Sequence, residues 1–104
     1  MLRIYDVALE MLADVAGVVD VIGRYDKDLV RQIMRASMSV VLNISEAGAV
    51  RDGRRRARHG DALGSALETR ACVEGAVAIG YLDAVPAAMR DRLMHIIRVL
   101  YKLV

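Results

Sequence analysis

Residues 26–48 read DKDLVRQIMRASMSVVLNISEAG, and this stretch decides the fold class. Its apolar positions Leu29, Ile33, Ala36, Val40 and Ile44 recur at intervals of three and four, the period of one face of an α-helix. Asp26 stands where an N-cap acceptor belongs, and Gly48 closes the segment. Upstream, Leu2, Tyr5, Leu9, Leu12, Ala16 and Val19 form an apolar stripe, with Arg3, Asp6, Glu10 and Asp14 on another line. That spacing predicts a first helix over roughly 2–22, ending at Gly23. Downstream, Gly53 reopens the chain and a third helix, rich in small residues, runs to about Ile79. Gly80-Tyr81-Leu82 reads as a glycine stop followed by an apolar residue. Pro86 suits the first turn of a fourth helix, which buries Met89, Leu93, Ile96, Leu100 and Leu103. Four helices with short loops predict an all-α, up-and-down antiparallel four-helix bundle, one domain over residues 1–104.

Composition adds a constraint on assembly. Of the 104 residues, 56% are apolar and 27% charged, which excludes intrinsic disorder. A chain this short buries only about two-thirds of its unfolded surface. Apolar side chains therefore remain outside a monomer core, and self-association is the remedy. Cys72 is the only cysteine, so no intramolecular disulfide or multi-thiolate metal site can form, as expected of a reducing, cytoplasmic setting. Asp6, Glu10 and Asp14 break the first apolar stretch, unlike a signal peptide, and the longest charge-free run, Ala36–Ser45, is too short to cross a bilayer. Charge is uneven. Residues 1–50 hold five basic and seven acidic groups, whereas residues 51–104 hold ten and six. An anion belongs with the second half.

Enzyme and metal signals are absent from the pattern. None of Glu10, Glu46, Glu68 or Glu74 is followed three residues later by His, as a bundle di-iron site requires. His59 and Cys72 fall on roughly opposite sides of a helix, and His95 reads as a solvated histidine. Ser37, Ser39, Ser45 and Ser65 lie in helices, without the glycine-framed strand-to-helix elbow of a nucleophile. The expectation is a non-enzymatic protein with no cofactor and no metal.

Two features remain. In the second helix Arg31, Arg35, Ser39, Asn43 and Glu46 form a polar stripe, and in the third Arg54, Arg58, Asp61, Ser65 and Glu68 do the same. A hairpin turning near residue 50 gives partners whose numbers sum to about 100, setting Glu46 against Arg54, and Arg35 against Ser65 one turn from Glu68. Either the stripes are two solvated faces, or they form a polar seam of Arg35, Ser39, Asn43, Glu46, Ser65 and Glu68 that fixes register, since buried polar groups demand partners. Arg35 and Glu68 are then expected within ion-pair reach. Gly60 and Gly64, beside Ala57, Ala71, Gly75, Ala76 and Ala78, mark either a tight helix or subunit interface or a crowded core.

The second feature is an arginine cluster: Arg51, Arg54, Arg55, Arg56 and Arg58 occupy five of eight consecutive positions. It falls at a helix start, where the macrodipole disfavours each cation by about 0.3–1 kcal/mol. Arg51, Arg54, Arg55 and Arg58 lie within about 100° of one another on the helical wheel. Three readings fit: phosphates held by forked guanidinium donors, pairing with the acidic stripe of a neighbouring subunit's first helix, and plain solvation.

Residues 35–46, RASMSVVLNISE, resemble the four-helix-bundle family encoded by intervening sequences in bacterial large-subunit rRNA genes. The family pattern R-x-S-x-S-x-x-x-N-I-A-E-G is similar to Arg35, Ser37, Ser39, Asn43, Ile44, Ser45 and Glu46. A second pattern is similar to Ala62, Gly64, Ser65 and Glu68, and a third, L-G-Y-L, to Ile79, Gly80, Tyr81 and Leu82. Ala47-Gly48 departs from the expected glycine directly after Glu46, and the usual early aromatics of the third helix are replaced by Gly53–Gly60. The family includes accessory variability determinants of diversity-generating retroelements, basic homopentameric barrels that bind a reverse transcriptase and nucleic acid. The resemblance thus implies a homopentamer with a non-enzymatic role on nucleic acid.

Two functions follow as expectations. One is an oligomeric accessory protein that binds structured RNA, DNA or a ribonucleoprotein such as a reverse-transcriptase complex through Arg51, Arg54, Arg55 and Arg58. The alternative is an oligomeric protein scaffold whose arginines meet acidic surfaces, including its own Asp6-Glu10-Asp14 stripe. Neither involves a membrane.

Overall fold

The computed structural model describes residues 3–104. Helices α1 (Ile4–Ile22), α2 (Lys27–Ala47), α3 (Asp52–Ile79) and α4 (Ala87–Leu103) follow one another in an up-and-down bundle. Each helix packs against its chain neighbours, and α4 closes the ring against α1. The 28 residues of α3 set the 43 Å long dimension, matching the rise of an α-helix of that length.

Helix ends obey local chemistry. The Asp26 carboxylate accepts from the Leu29 amide at 3.0 Å and so caps α2. Gly80 adopts φ 97°, ψ 12° after α3. The Gly80 amide reaches Val77 O at 3.1 Å and the Tyr81 amide reaches Ala76 O at 2.9 Å. This is the left-handed glycine stop that satisfies the last carbonyls of a helix. Tyr81 is thereby delivered onto Tyr25 from the α1–α2 connection, the two rings stacking at 5.1 Å and 7°. Pro86 sits one position outside its expected place: it is the N-cap of α4, with φ −56° and ψ 136°, rather than part of the first turn.

The core is aliphatic throughout. Met11, Val15 and Ile22 of α1 pack with Ile33 and Val40 of α2, with Ala62, Ala66 and Val73 of α3, and with Met89, Leu93, Ile96 and Leu100 of α4. Ser37 and Thr69, the two buried polar side chains among the described residues, donate back to Ile33 O and Ser65 O, both at 2.8 Å, so neither is left unpaired. On α4 the expected apolar face is buried except for Leu103.

The α1 stripe needs correction. Val7, Ala8, Met11, Val15, Val18 and Ile22 are buried, whereas Leu9 and Ala16 are exposed and Tyr5, Leu12 and Val19 lie half-buried; Leu2 is outside the described residues. The reason is that α1 is apolar around most of its circumference, so the stripe opposite the acids was not the inward one. Glu10 and Asp14 point sideways at α4. Arg92 Nη1 donates to both Asp14 oxygens at 2.7 and 2.8 Å, and Arg92 Nη2 lies 3.1 Å from Glu10 Oε2. The Asp14 side chain is only 18% exposed, so this cluster fastens the first helix to the last.

Candidate nucleic-acid interface

The α2–α3 hairpin builds one end of the bundle. Gly48 ends α2, the chain passes through Ala49–Arg51, and Asp52 turns it with φ 56° into α3. Ser65 Oγ donates to Ser39 Oγ at 2.8 Å, and Arg58 Nε approaches Glu46 Oε2 at 3.3 Å. Facing residues therefore sum to 104 rather than 100, one helical turn from the expected register. Glu46 meets Arg58 instead of Arg54, and Ser65 meets Ser39 instead of Arg35. The physical cause is that the first turn of α3 stands beyond the end of α2, which moves the centre of the hairpin past its loop.

The seam exists in its middle and fails at its far end. Asn43 Nδ2 donates to Ser39 O at 2.9 Å and to Ser39 Oγ at 3.0 Å, so Asn43, Ser39 and Ser65 form a continuous half-buried chain. Arg35 and Glu68 are exposed and form no ion pair with each other. They act instead on Cys72, whose thiol is pushed up by burial first and by Glu68 second, against the opposite pull of Arg35. At this depth water solvates both charges, so nothing forces them together.

The arginines separate into two groups. Arg55 Nε donates to Ala47 O at 3.0 Å and to Val50 O at 2.9 Å. Its Nε–H serves the last carbonyl of α2 and the Val50 carbonyl of the connecting loop, while the residue stays exposed and no partner is found for its Nη groups among the described residues. Arg58 is held by Glu46 and lies 3.8 Å from Asp61. Arg51, Arg54 and Arg56 are exposed, and none meets a carboxylate within ion-pair distance among the described residues. Of the expected set Arg51, Arg54, Arg55 and Arg58, Arg51 and Arg54 stand without an ion pair, Arg55 and Arg58 are partly engaged within the hairpin, and Arg56 joins the unbridged pair. Arg56 falls outside the wheel sector that singled out the others, and only its exposure reveals it.

The end of the bundle makes these three prominent. A Cβ added at Gly60 would come within 3.9 Å of Val104, so α4 finishes level with Gly60. The two turns of α3 before it extend past α4, and residues 51–58 are all exposed. Arg3, at the start of α1, shares a cleft with Arg55 and His59 at the same end. His59 is held below its ordinary value, by burial first and by the Arg55 charge second. Chemically, the end offers forked cationic donors on a rigid helix, suited to phosphate oxygens. Among the described residues no group of three or more His, Cys, Asp or Glu is placed to hold a metal ion, and no helix is long and apolar enough to cross a membrane.

The outer faces also bear on the small-residue stripe. Ala57, Gly60, Gly64, Ala71 and Ala78 line the exposed side of α3, and a Cβ at Gly64 or Gly75 would meet nothing within 4 Å. The crowded-core explanation fails for these positions.

Fold and site together define a four-helix bundle with an arginine-rich end. The chain belongs to the 23S rRNA-intervening sequence protein family, whose sequence model matches residues 1–102. Among solved structures it is similar to a protein with unknown function from the S23 ribosomal protein family of Bacteroides thetaiotaomicron, with a TM-score of 0.84, 20% identity and 97% of each chain covered. At that identity the likeness speaks for the fold alone. No curated protein matches.

Proposed function

We propose that this protein is a non-enzymatic accessory factor that assembles into a ring of identical subunits, a pentamer, and holds nucleic-acid phosphates with Arg51, Arg54 and Arg56. One observation carries the reading: three guanidiniums without an ion pair stand at and just before the start of α3, beyond the end of α2, at the helix end where their charge is least favoured. A locally unfavourable arrangement without internal compensation is the signature of an external partner. The family takes its name from intervening sequences of 23S rRNA, so structured RNA is the nucleic acid to try first. A ribonucleoprotein such as a reverse-transcriptase complex would present the same phosphates.

Assembly is supported by surface chemistry. Leu9 on α1 and Met34, Met38 and Leu42 on α2 are exposed apolar side chains, while α3 offers a smooth outer face at Ala57, Gly60, Gly64 and Ala71. Projecting side chains on one copy fit a face of small residues on the next, and such a heterologous contact makes a ring when its rotation closes. The scaffold alternative, with arginines pairing to the Asp6-Glu10-Asp14 stripe of a neighbour, loses two of its three acids to Arg92 of the same chain.

Fluorescence anisotropy with a structured RNA tests the reading. Wild-type affinity should fall with salt, with a slope of log K against log salt of about −0.7 to −0.9 per phosphate contact. Replacing Arg51, Arg54 and Arg56 by Gln should flatten that slope while light scattering still reports the oligomer. Arg58→Gln should change binding much less. Failure of the wild type to bind any RNA or DNA at low salt refutes phosphate binding. An 11.4 kDa particle at micromolar concentration refutes the ring.

A further inference from the structure

Away from the arginine-rich end, α3 and α4 part to leave a groove of about 400 Å3. Arg70 on this groove is sixteen residues along α3 from Arg54, a distance of about 24 Å, so the two regions are separate. Val73 and Leu93, both core residues, form its floor together with Val85 and the partly exposed Met94. Arg70, Arg90 and Arg98 line it as well, together with two carboxylates, Glu74 and Asp91, so its charged rim is net positive by one.

These three cations are poorly neutralised. Arg70 Nη1 rests 3.9 Å from Met94 Sδ, a weak acceptor, and makes no ion pair with Glu74 one turn along. Arg98 Nε donates to Met94 O at 3.3 Å, a bond back to its own helix. Arg90 alone approaches a carboxylate, that of Asp91, at 3.8 Å, beyond hydrogen-bonding range. An apolar floor walled by three arginines against two carboxylates, with Arg70 and Arg98 free of any ion pair, is complementary to one kind of ligand. A purely apolar molecule would leave the cations idle, and an inorganic anion would leave Val73 and Leu93 wet.

We propose that this groove binds one small amphipathic anion. Its apolar body lies on Val73, Leu93 and Met94, and its carboxylate, sulfonate or phosphate head is taken by Arg70 and Arg98. The volume falls in the lower part of the range for small-molecule sites. Met94, unbranched and flexible, adapts the floor to the shape of the body, and its sulfur surrenders Arg70 to the stronger acceptor. The forked guanidinium suits a planar or tetrahedral anionic head.

The test uses the protein over residues 1–104 and anilinonaphthalene sulfonate, an amphipathic anion that fluoresces in apolar surroundings. Decanoate, decylamine and decanol then compete for the site. The proposal expects saturable binding of one probe per chain and displacement by decanoate. The ammonium analogue should compete about tenfold less well, because a head placed between Arg70 and Arg98 meets like charge. Met94→Glu, which sets a carboxylate among the arginines, and the double variant Arg70→Gln/Arg98→Gln should each weaken probe and decanoate binding by about tenfold. Arg54→Gln should leave both unchanged, which separates this site from the RNA-binding end. Equal displacement by decanoate and decylamine overturns the proposal, as does probe binding that both groove variants leave intact. Absence of saturable decanoate binding in the wild type overturns it too.

Discussion

Arg55, expected to hold phosphate, also braces the end of α2 through its Nε, and the two roles can be separated by stability. Its Nε–H is shared between Ala47 O and Val50 O at 3.0 and 2.9 Å, so it counts as one three-centre bond. A hydrogen bond from a charged donor contributes about 1.5–3 kcal/mol where water is excluded. Ala47 is buried but Arg55 itself is exposed, which brings the figure to about 1–2 kcal/mol. Losing any arginine from this helix start also relieves unfavourable charge, by about 0.3–1 kcal/mol. Arg54→Met and Arg56→Met remove the same charge from the same turns without touching a carbonyl. They therefore serve as the reference. Urea unfolding of all four proteins at one protomer concentration should place Arg55→Met below Arg54→Met and Arg56→Met by about 1–2 kcal/mol. For a domain of this size each kcal/mol corresponds to about 4–8 °C in Tm. If Arg55→Met is as stable as the two reference variants, Arg55 does not cap α2. It then returns to the phosphate-binding set.

Three further outcomes are expected. His59 has a folded-state pKa below its unfolded value, so the unfolded chain binds the extra proton first. Stability should fall as pH drops through about 6.5 and below, and His59→Gln should flatten that part of a pH-dependent melting curve. Alkylation of Cys72 by iodoacetamide near pH 8 should be faster in Glu68→Gln and slower in Arg35→Gln than in wild type, because those charges raise and lower its pKa; identical rates would mean that neither residue acts on the thiol. Gly80→Ala should cost about 1–2 kcal/mol from the left-handed backbone alone, since its Cβ would meet nothing within 4 Å. A Gly80→Ala melt that coincides with wild type would contradict the turn described after α3.

Helix content, helix order and most helix ends were legible in the sequence because they are set locally. Asp26 can cap only the turn that follows it, Gly80 can stop only the helix before it, and the α2 and α4 stripes have one clear apolar side. On α1 the local signal was insufficient, since apolar residues surround the helix and nothing in its own sequence says which side meets the core. That was decided by packing against the other helices, which buries Val7, Ala8, Met11, Val15, Val18 and Ile22 and leaves Asp14 facing Arg92, 78 residues away. The polar seam was readable as a composition but not as a register. The length by which α3 overshoots α2 depends on the path through Asp52, whose positive φ no pattern of neighbours announces. The cluster of five arginines was plain in the sequence, yet their division was not. Whether a guanidinium caps a helix, pairs with Glu46 or faces solvent depends on where the preceding helix ends in space, and only the packed hairpin fixes that.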